Sequence, residues 1–263
     1  MEKSAALQVD HVSFAYENKR VLKDVGFSLR HGEFMALIGP NGSGKTTLLK
    51  IILGMLSPKE GEVWLDGKPV LAYPPKEKAK RMAYVSQQPF SGFPLTVEEL
   101  VSLGRYPHAR RFGRGTGEAG AIEDALRLTD SFSLRERKFT TLSGGERQKV
   151  LISRALAQTL HLLLFDEPTV HLDIYFQLQI LDALKRLCTE EGSTVVAVLH
   201  DPNLVSLFAD KVLLLKSGAA TAFGSVEEVM NQGRMGSAFG VEVSAIRDAK
   251  SGTTYFIPRR PRS

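Results

Sequence analysis

The segment Gly39-Pro-Asn-Gly-Ser-Gly44-Lys45-Thr46 decides the fold of this chain. It matches the pattern G-x-x-x-x-G-K-[ST] at every fixed position, and it stands between the apolar run Phe34–Ile38 and a helix-like stretch, 46–55. The glycines of such a loop let successive backbone N–H groups point into one concavity, and the following helix adds the positive end of its dipole. The segment therefore predicts a phosphate-binding loop.

The side chains of this loop predict a nucleotide and a magnesium ion as ligands. We expect Lys45 to neutralise the β- and γ-phosphates and the Thr46 hydroxyl to bind Mg²⁺, the cofactor. The predicted ATP-binding residues of the loop and of the first helical turn are Gly39, Pro40, Asn41, Gly42, Ser43, Gly44, Lys45, Thr46 and Thr47.

Two acidic residues follow the apolar run 162–165, where a buried strand is expected to end. Ligands bind at the carboxyl edge of such sheets, so this position suits a catalytic pair. We expect Asp166 to hold the magnesium ion and Glu167 to accept the proton of the attacking water. Together with the phosphate-binding loop, the pair indicates a nucleotide hydrolase.

The remaining pattern predicts an α/β fold. Residues 7–14 and 25–29 alternate between apolar and polar, as in an antiparallel sheet with one exposed face. The continuous apolar runs 34–38, 162–165 and 194–199 read as buried strands of a mainly parallel sheet covered by helices. Between them, residues from about 91 to 157 are predominantly helical. We predict a P-loop ATPase core with an antiparallel β subdomain and an inserted α-helical subdomain.

A second Gly-rich helix start, Leu142-Ser143-Gly144-Gly145-Glu146, gives the chain two anion-binding helix termini but one phosphate-loop lysine. This surplus predicts that one nucleotide is held by two chains. At this point the sequence resembles the ATP-binding-cassette (ABC) ATPases. The resemblance implies a homodimer in which Ser143, Gly144, Gly145 and Glu146 close on the ATP of the partner subunit.

The resemblance also implies roles for single residues. Tyr16 corresponds to the aromatic residue that stacks on adenine, and Asp173 to the aspartate that senses the partner subunit. His200, which follows the apolar run 194–199, resembles the histidine that contacts the γ-phosphate and positions the water. Gln87 corresponds to the glutamine that contacts magnesium, with Gln88 as the rival for that role.

One position departs from the family pattern. Val170 stands where the family often has a small residue, which puts the geometry of the loop before Asp173 in question but not the ATP site.

The resemblance covers residues 5–242 as a single cassette, with 243–263 as a C-terminal tail. A free-standing cassette implies separate permease subunits in the membrane and, indirectly, a substrate-binding protein. The stretch 101–108 resembles the ATP-binding subunits of iron–siderophore, haem and vitamin B12 importers, in which this region docks the permease. We assign the docking role to Arg105 and Tyr106. The cargo within this group stays open.

Composition sets wider limits. The chain has 263 residues with 43% hydrophobic and 24% charged residues, so a disordered chain is excluded. The sequence has no secretory signal and no apolar run of about 18 residues. We therefore expect the chain to stay in the cytoplasm. The permease that the resemblance implies adds a peripheral position on the cytoplasmic face of the inner membrane. The single cysteine, Cys188, excludes an internal disulfide.

Two other functions fit parts of the sequence. The net charge of +5 is compatible with a soluble ABC ATPase that couples dimerisation to macromolecular assembly or nucleic-acid work. Against it stand the docking-like stretch and the lack of an aromatic and basic nucleic-acid surface, so we expect no nucleic-acid partner. A regulator without hydrolysis is disfavoured because Glu167 and His200 are both present.

Overall fold

The chain forms two compact units. One unit combines Met1–Ala72 with Val196–Ser263, and the other is the intervening segment Tyr73–Val195. The structure is a computed structural model, and it describes residues 5–87, 94–109, 118–158 and 161–259.

The described residues form strands and helices with the following bounds. The strands are β1 (Ala5–Tyr16), β2 (Lys19–Arg30), β3 (Phe34–Ile38), β4 (Glu60–Leu65), β5 (Lys68–Pro69), β6 (Met82–Val85), β7 (Leu162–Asp166), β8 (Thr194–Val198), β9 (Lys211–Lys216), β10 (Ala219–Ser225), β11 (Val243–Arg247) and β12 (Thr254–Pro258). The helices are α1 (Lys45–Ile52), α2 (Pro75–Arg81), α3 (Val97–Ser102), α4 (Glu118–Leu128), α5 (Gly144–Gln158), α6 (Ile174–Glu191), α7 (Pro202–Phe208), α8 (Val226–Val229) and α9 (Gln232–Phe239). Within the described residues, none of these helices is both long and apolar enough to cross a bilayer.

The first unit contains a four-stranded antiparallel sheet in the order β2-β1-β4-β5. Val9 of β1 lies opposite Phe27 of β2 and Val63 of β4. Alternate residues of β2, such as Phe27 and Leu29, are buried, whereas Ser28 is exposed. The predicted antiparallel subdomain with one exposed face is confirmed.

Parallel strand pairs form the buried part of both units. In the first unit, β3 pairs in parallel with β9, and β10 returns antiparallel beside β9. In the second unit, β6 pairs in parallel with β7. All five residues of β3 and all five of β7 are buried, which explains why their sequences are continuously apolar. The predicted mainly parallel core is confirmed.

The helices of the second unit pack around α5. Helix α3 presents Val97, Leu100 and Val101 as a buried face, and α4 contributes Ala125 and Leu126. Both helices contact α5. The predicted helical insertion is therefore present between β6 and β7.

The C-terminal residues form a hairpin that the sequence pattern does not predict. Strands β11 and β12 pair in antiparallel register, with Val243 opposite Pro258 and Ala245 opposite Phe256. Only Val243 and Phe256 of these strands are buried, so the strands carry too few buried residues to show a clear alternation. The hairpin contacts α7 through β12 and α9 through β11.

A short 3-10 helix, Leu103–His108, lies against the end of α5. Gly104 permits this approach, because a Cβ at this position would stand 2.3 Å from the carbonyl oxygen of Arg154. Arg105 Nη1 donates a hydrogen bond of 2.7 Å to the carbonyl oxygen of Ala157. Carbonyl groups in the last turn of a helix lack partners within the helix, so this bond stabilises the end of α5.

Gly104→Ala should lower the free energy of unfolding by about 2 kcal/mol, because the new Cβ meets main-chain atoms that cannot rotate away. Gly120→Ala is the matched control. Gly120 lies within α4 and has no atom within 4 Å of its Cβ position, so this variant should gain up to about 1 kcal/mol. Urea unfolding followed by circular dichroism measures both values. A Gly104→Ala protein with wild-type stability would contradict the prediction.

Candidate nucleotide-binding and hydrolysis site

The predicted phosphate-binding loop connects β3 to α1 and depends on glycines at its two ends. Gly39 has a φ of 149°, and its Cβ would lie 2.0 Å from the carbonyl oxygen of Leu215. Gly44 has a φ of 105°, and its Cβ would lie 2.7 Å from Leu22 Cδ2. Any other residue at these two positions would be strained in its backbone and in steric conflict with its neighbours. Glycine is therefore required at both ends for the loop to pack this closely against its neighbours.

The side chain of Lys45 folds back onto this loop and contacts its main chain. Its Nζ donates hydrogen bonds of 2.7 Å to Gly39 O and 3.0 Å to Pro40 O. Ser43 Oγ is buried and has no hydrogen-bond partner among the described residues. An ammonium group and an unsatisfied hydroxyl beside a helix N-terminus are donors of the kind that a phosphate chain requires.

The other predicted ATP-binding residues of the first unit lie nearby in sequence or at a strand end. Asn41, Gly42 and Thr46 are exposed on the loop and the first turn of α1, whereas Thr47 is buried. Tyr16 ends β1 with 44% of its surface exposed, and its ring meets the edge of Phe14 at 4.9 Å between centroids. An exposed ring at a strand end can stack on a planar base.

The carboxylate pair lies in the second unit, at the end of β7. Asp166 is the last residue of the strand and is 2% exposed, and Tyr84 Oη donates to its Oδ2 over 3.4 Å. Burial raises the pKa of Tyr84, and the negative charge of Asp166 adds to this shift. Tyr84 therefore stays protonated at neutral pH and serves as a donor to the carboxylate.

Glu167 and Gln87 are brought together, although 80 residues separate them. Gln87 Nε2 donates to Glu167 Oε2 over 2.7 Å. Glu167 adopts a positive φ of 62°, an uncommon conformation for a residue with a side chain. Gln87 thus fixes the predicted general base, while Gln88, its rival for the metal role, lies outside the described residues.

The predicted trans-acting segment begins α5 with a capping box. Glu146 N donates to Ser143 Oγ over 3.3 Å, and Ser143 N donates to Glu146 Oε2 over 2.7 Å. The hydrogen bond from Ser143 N–H lowers the pKa of Glu146 below its usual range, and the nearby Arg137 guanidinium contributes in the same direction. The two glycines between these residues keep the helix N-terminus open.

Asp173 lies close to this helix start and begins α6. Its carboxylate accepts a hydrogen bond of 3.0 Å from Phe176 N. A cavity of about 910 Å³ lies between the two helix starts, and it is lined by Ser143, Gly144, Gly145, Glu146, Lys149, His171 and Asp173 among others. Its size and its open helix terminus suit a nucleotide phosphate group.

Two further residues line this cavity: Lys149, which the sequence did not predict, and His171, whose position in the loop indicates a packing role. Lys149 Nζ lies 3.0 Å from the ring centroid of Phe176 and 3.7 Å from Asp130 Oδ2, which joins α5 to the start of α6. His171 has a positive φ of 66°, and its Cβ lies 3.7 Å from the position that a Gly144 side chain would take. The only sequence feature that could have indicated the role of Lys149 is its position in the second turn of the Gly-rich helix, because its partners Phe176 and Asp130 are distant in sequence.

His200 and the docking candidate Tyr106 are exposed, whereas the second docking candidate, Arg105, is half-buried. His200 follows β8, and the next residue, Asp201, begins α7. Tyr106 is 79% exposed, whereas Arg105 is half-buried and bound to α5. Tyr106 therefore offers a side chain to a partner, and Arg105 supports the segment that carries it.

The comparisons with known proteins agree with this geometry. The family model described as ABC transporter matches residues 22–170, which is more than half of the chain. The chain belongs to the ABC transporter family. It is 36% identical to the ferric enterobactin transport ATP-binding protein FepC of Escherichia coli over 258 residues, which cover 98% of this chain and 95% of that protein.

Two solved structures share the fold. A metal-chelate type ABC transporter in an inward-facing conformation matches with a TM-score of 0.84 and 30% identity, covering 98% of this chain and 99% of that one. The dimeric bacterial ABC transporter cassette MJ0796 matches with a TM-score of 0.75 and 32% identity, covering 84% and 98%. The chain spans 55% of the length of another relative, the uncharacterized ABC transporter ATP-binding protein YvrA of Bacillus subtilis, at 37% identity over 91% of this chain.

Glu146→Ala should lower the free energy of unfolding at pH 7 by about 1 kcal/mol, because it removes half of the capping box. The lowered pKa means that the ionised carboxylate stabilises the fold above the unfolded-state pKa, and that this contribution disappears as the pH falls through the folded-state pKa. The difference between wild type and variant should therefore shrink towards pH 3. Glu146→Gln, which keeps an acceptor oxygen, is the control and should lose less at pH 7. Chemical unfolding at both pH values measures these differences, and a pH-independent difference would contradict the assigned role.

Proposed function

We propose that this chain is the ATP-binding and hydrolysing subunit of an importer for iron–siderophore complexes, haem or cobalamin. The observation that carries the proposal is the orientation of Glu167 by Gln87, directly after the buried Asp166, in a chain with a complete phosphate-binding loop. The relative named for ferric enterobactin transport, which matches almost the whole chain, supports an iron chelate as cargo. Haem and cobalamin rest on the resemblance of residues 101–108.

ATP binding uses the first unit. The loop N–H groups and the Lys45 ammonium bind the β- and γ-phosphates, and the ring of Tyr16 stacks on adenine. When ATP binds, Lys45 Nζ exchanges its contacts with Gly39 O and Pro40 O for phosphate oxygens, which are stronger acceptors for a cation. The loop is thus prepared for its ligand before the ligand arrives.

Hydrolysis requires an oriented water and the neutralisation of charge on the transferred phosphoryl group. Glu167 accepts a proton from the attacking water, and the amide of Gln87 prevents its carboxylate from rotating. His200 contacts the γ-phosphate and positions the water on the phosphate side. Lys45 stabilises the charge that develops in the transition state.

Magnesium is the cofactor that we propose for this site. The Thr46 hydroxyl, the Asp166 carboxylate and the Gln87 amide are hard oxygen donors, the ligand type that Mg²⁺ prefers. The near-complete burial of Asp166 leaves its charge unscreened by water, which fits a cation ligand. The ion would be held by these residues and would supply charge neutralisation at the phosphates.

We propose that the active form is a head-to-tail homodimer. Ser143, Gly144, Gly145 and Glu146 of one chain then close on the ATP that the phosphate-binding loop of the other chain holds, and Asp173 senses the partner subunit. The open helix terminus at the 910 Å³ cavity and the dimeric state of the MJ0796 cassette support this arrangement. Because ATP binds the closed state more tightly, binding drives closure and hydrolysis permits reopening.

The membrane partner is a separate permease, which we propose docks at Arg105 and Tyr106, with a substrate-binding protein acting indirectly on its other side. The exposed phenol of Tyr106 is a side chain type that is enriched at the centre of protein interfaces. We therefore propose a peripheral location on the cytoplasmic face of the inner membrane, through the permease.

Glu167→Gln should lower the turnover number at least about 100-fold, because the amide cannot accept the proton. ATP affinity should stay within the wild-type range, and size-exclusion chromatography with ATP should show an accumulated dimer. Lys45→Ala is the matched control, because it weakens phosphate binding and should form no ATP-dependent dimer. Normal hydrolysis by Glu167→Gln would show that the base is misassigned.

Tyr106→Ser should lower transport in vesicles that contain the complete importer by about tenfold, because it removes an aromatic anchor from the proposed docking surface. The ATPase rate of the isolated chain should not change. Met55→Ser is the control for loss of an exposed apolar side chain elsewhere, since Met55 is 67% exposed. Equal transport by the Tyr106 variant and the wild type would contradict the docking role.

A further inference from the structure

The short helix α7 connects the predicted catalytic histidine to the C-terminal hairpin. Leu199 lies between the end of β8 and His200, and α7 begins at Pro202, so a single residue separates His200 from the helix. That residue, Asp201, has an extended backbone, and its side chain accepts a hydrogen bond of 2.8 Å from Asn203 N. With so short a connection, the direction of α7 determines the direction in which the chain leaves His200.

Helix α7 has only seven residues, and a helix of this length has no stable orientation of its own in water. Leu204 and Val205 are buried and hold one face of the helix. The orientation about this face must come from a further contact with the rest of the unit.

Asn203 makes that contact through both atoms of its amide. Phe256 N donates to Asn203 Oδ1 over 2.7 Å, and Asn203 Nδ2 is 3.4 Å from Phe256 O. The amide thus forms with β12 the pair of hydrogen bonds that a neighbouring strand would form, although 53 residues separate Asn203 from Phe256. Two bonds from one planar amide fix its distance and its rotation relative to the hairpin.

Phe256 makes this anchor rigid. It is 2% exposed and is one of the largest fully buried side chains of the protein. Its backbone pairs with Ala245 of β11, so any displacement of the contact point would disturb the hairpin as a whole. Asn203 is therefore bound to a fixed point rather than to a loose end of the chain.

His200 itself lies beside the hairpin. A cavity of about 320 Å³ is lined by His200, Asn203, Phe256 and Pro258, together with apolar residues of α9 and β11. His200 is exposed and borders this cavity together with Phe256 and Pro258 of β12.

We propose that Asn203 is a positioning residue for hydrolysis: through Phe256 it couples the C-terminal hairpin to the orientation of His200. The hairpin then belongs to the working ATPase and is not an appendage to the cassette. The proposal rests on the proposed role of His200 at the γ-phosphate. It assigns no contact between Asn203 and the nucleotide.

The test compares steady-state ATP hydrolysis and ATP binding of full-length variants. Asn203→Ala should lower kcat by about tenfold, because sub-ångström displacement of a catalytic group is costly, with KM and ATP affinity within about twofold of wild type. Asn203→Asp keeps the oxygen that accepts from Phe256 N–H, so its kcat should stay within about threefold of wild type. Leu207→Ala is the matched control, since Leu207 lies on the same helix and is 42% exposed, and its kcat should not change.

A double-mutant cycle identifies the route of the effect. In a His200→Ala background, measured in single turnovers, Asn203→Ala should add no further loss. A full additional tenfold loss would overturn the proposal, as would equal losses for the Asp and Ala variants. Asn203→Leu, close in volume and without an amide, replaces Asn203→Ala where the latter does not fold.

The same experiment separates this proposal from the proposed function of His200. If His200→Ala alone keeps wild-type turnover, the role of His200 is wrong, and Asn203 has nothing to position. If His200→Ala is inactive but folded Asn203→Ala turns over normally, only the positioning role of Asn203 is wrong.

Discussion

The close approach of main chain to main chain around the phosphate-binding loop is the constraint on which the first unit depends. Gly39 abuts the carbonyl oxygen of Leu215, and Gly218 abuts that of Val21, each at a distance that no Cβ can share. Gly218 N also donates to Ser43 O over 3.2 Å. The backbone of neighbouring segments therefore holds the loop in place at its glycines.

In the second unit, the corresponding restraint on α5 comes from side chains. The proposed role of α5 requires a helix start that is open to a phosphate group, while side chains of the helix contact the turn that carries Glu167. Gln148 Nε2 donates to Pro168 O over 3.3 Å, and Lys149 covers the ring of Phe176 at the start of α6. Both contacts are made by residues of the second turn of α5, so neither involves its first turn. Motion of α5 would consequently be transmitted to the residues beside Glu167.

The sequence predicted those features of the molecule that are determined by short runs of neighbouring residues. The buried strands, the phosphate-binding loop and the adjacent carboxylates follow from short runs of residues. The family resemblance singled out Gln87, which contacts Glu167, while the role of His200 stays a prediction. The contact between Gln87 and Glu167, and that between Asn203 and Phe256, join residues 80 and 53 positions apart, so no window of sequence contains both partners. The hairpin escaped prediction for a different reason, since only Val243 and Phe256 of its two strands are buried.

Backbone strain explains why the turn between β7 and α6 has the residues it has. Glu167 and His171 both adopt positive φ values, of 62° and 66°, and such conformations of non-glycine residues cost of order 1 kcal/mol each. Glycine would remove this cost at either position if the turn served only to connect the two elements. Glu167 instead presents its carboxylate to Gln87, and His171 packs against Gly144 of the helix start. The strain is therefore the cost of holding two side chains on one short turn of the second unit: Glu167, the proposed general base, and His171, the contact to α5.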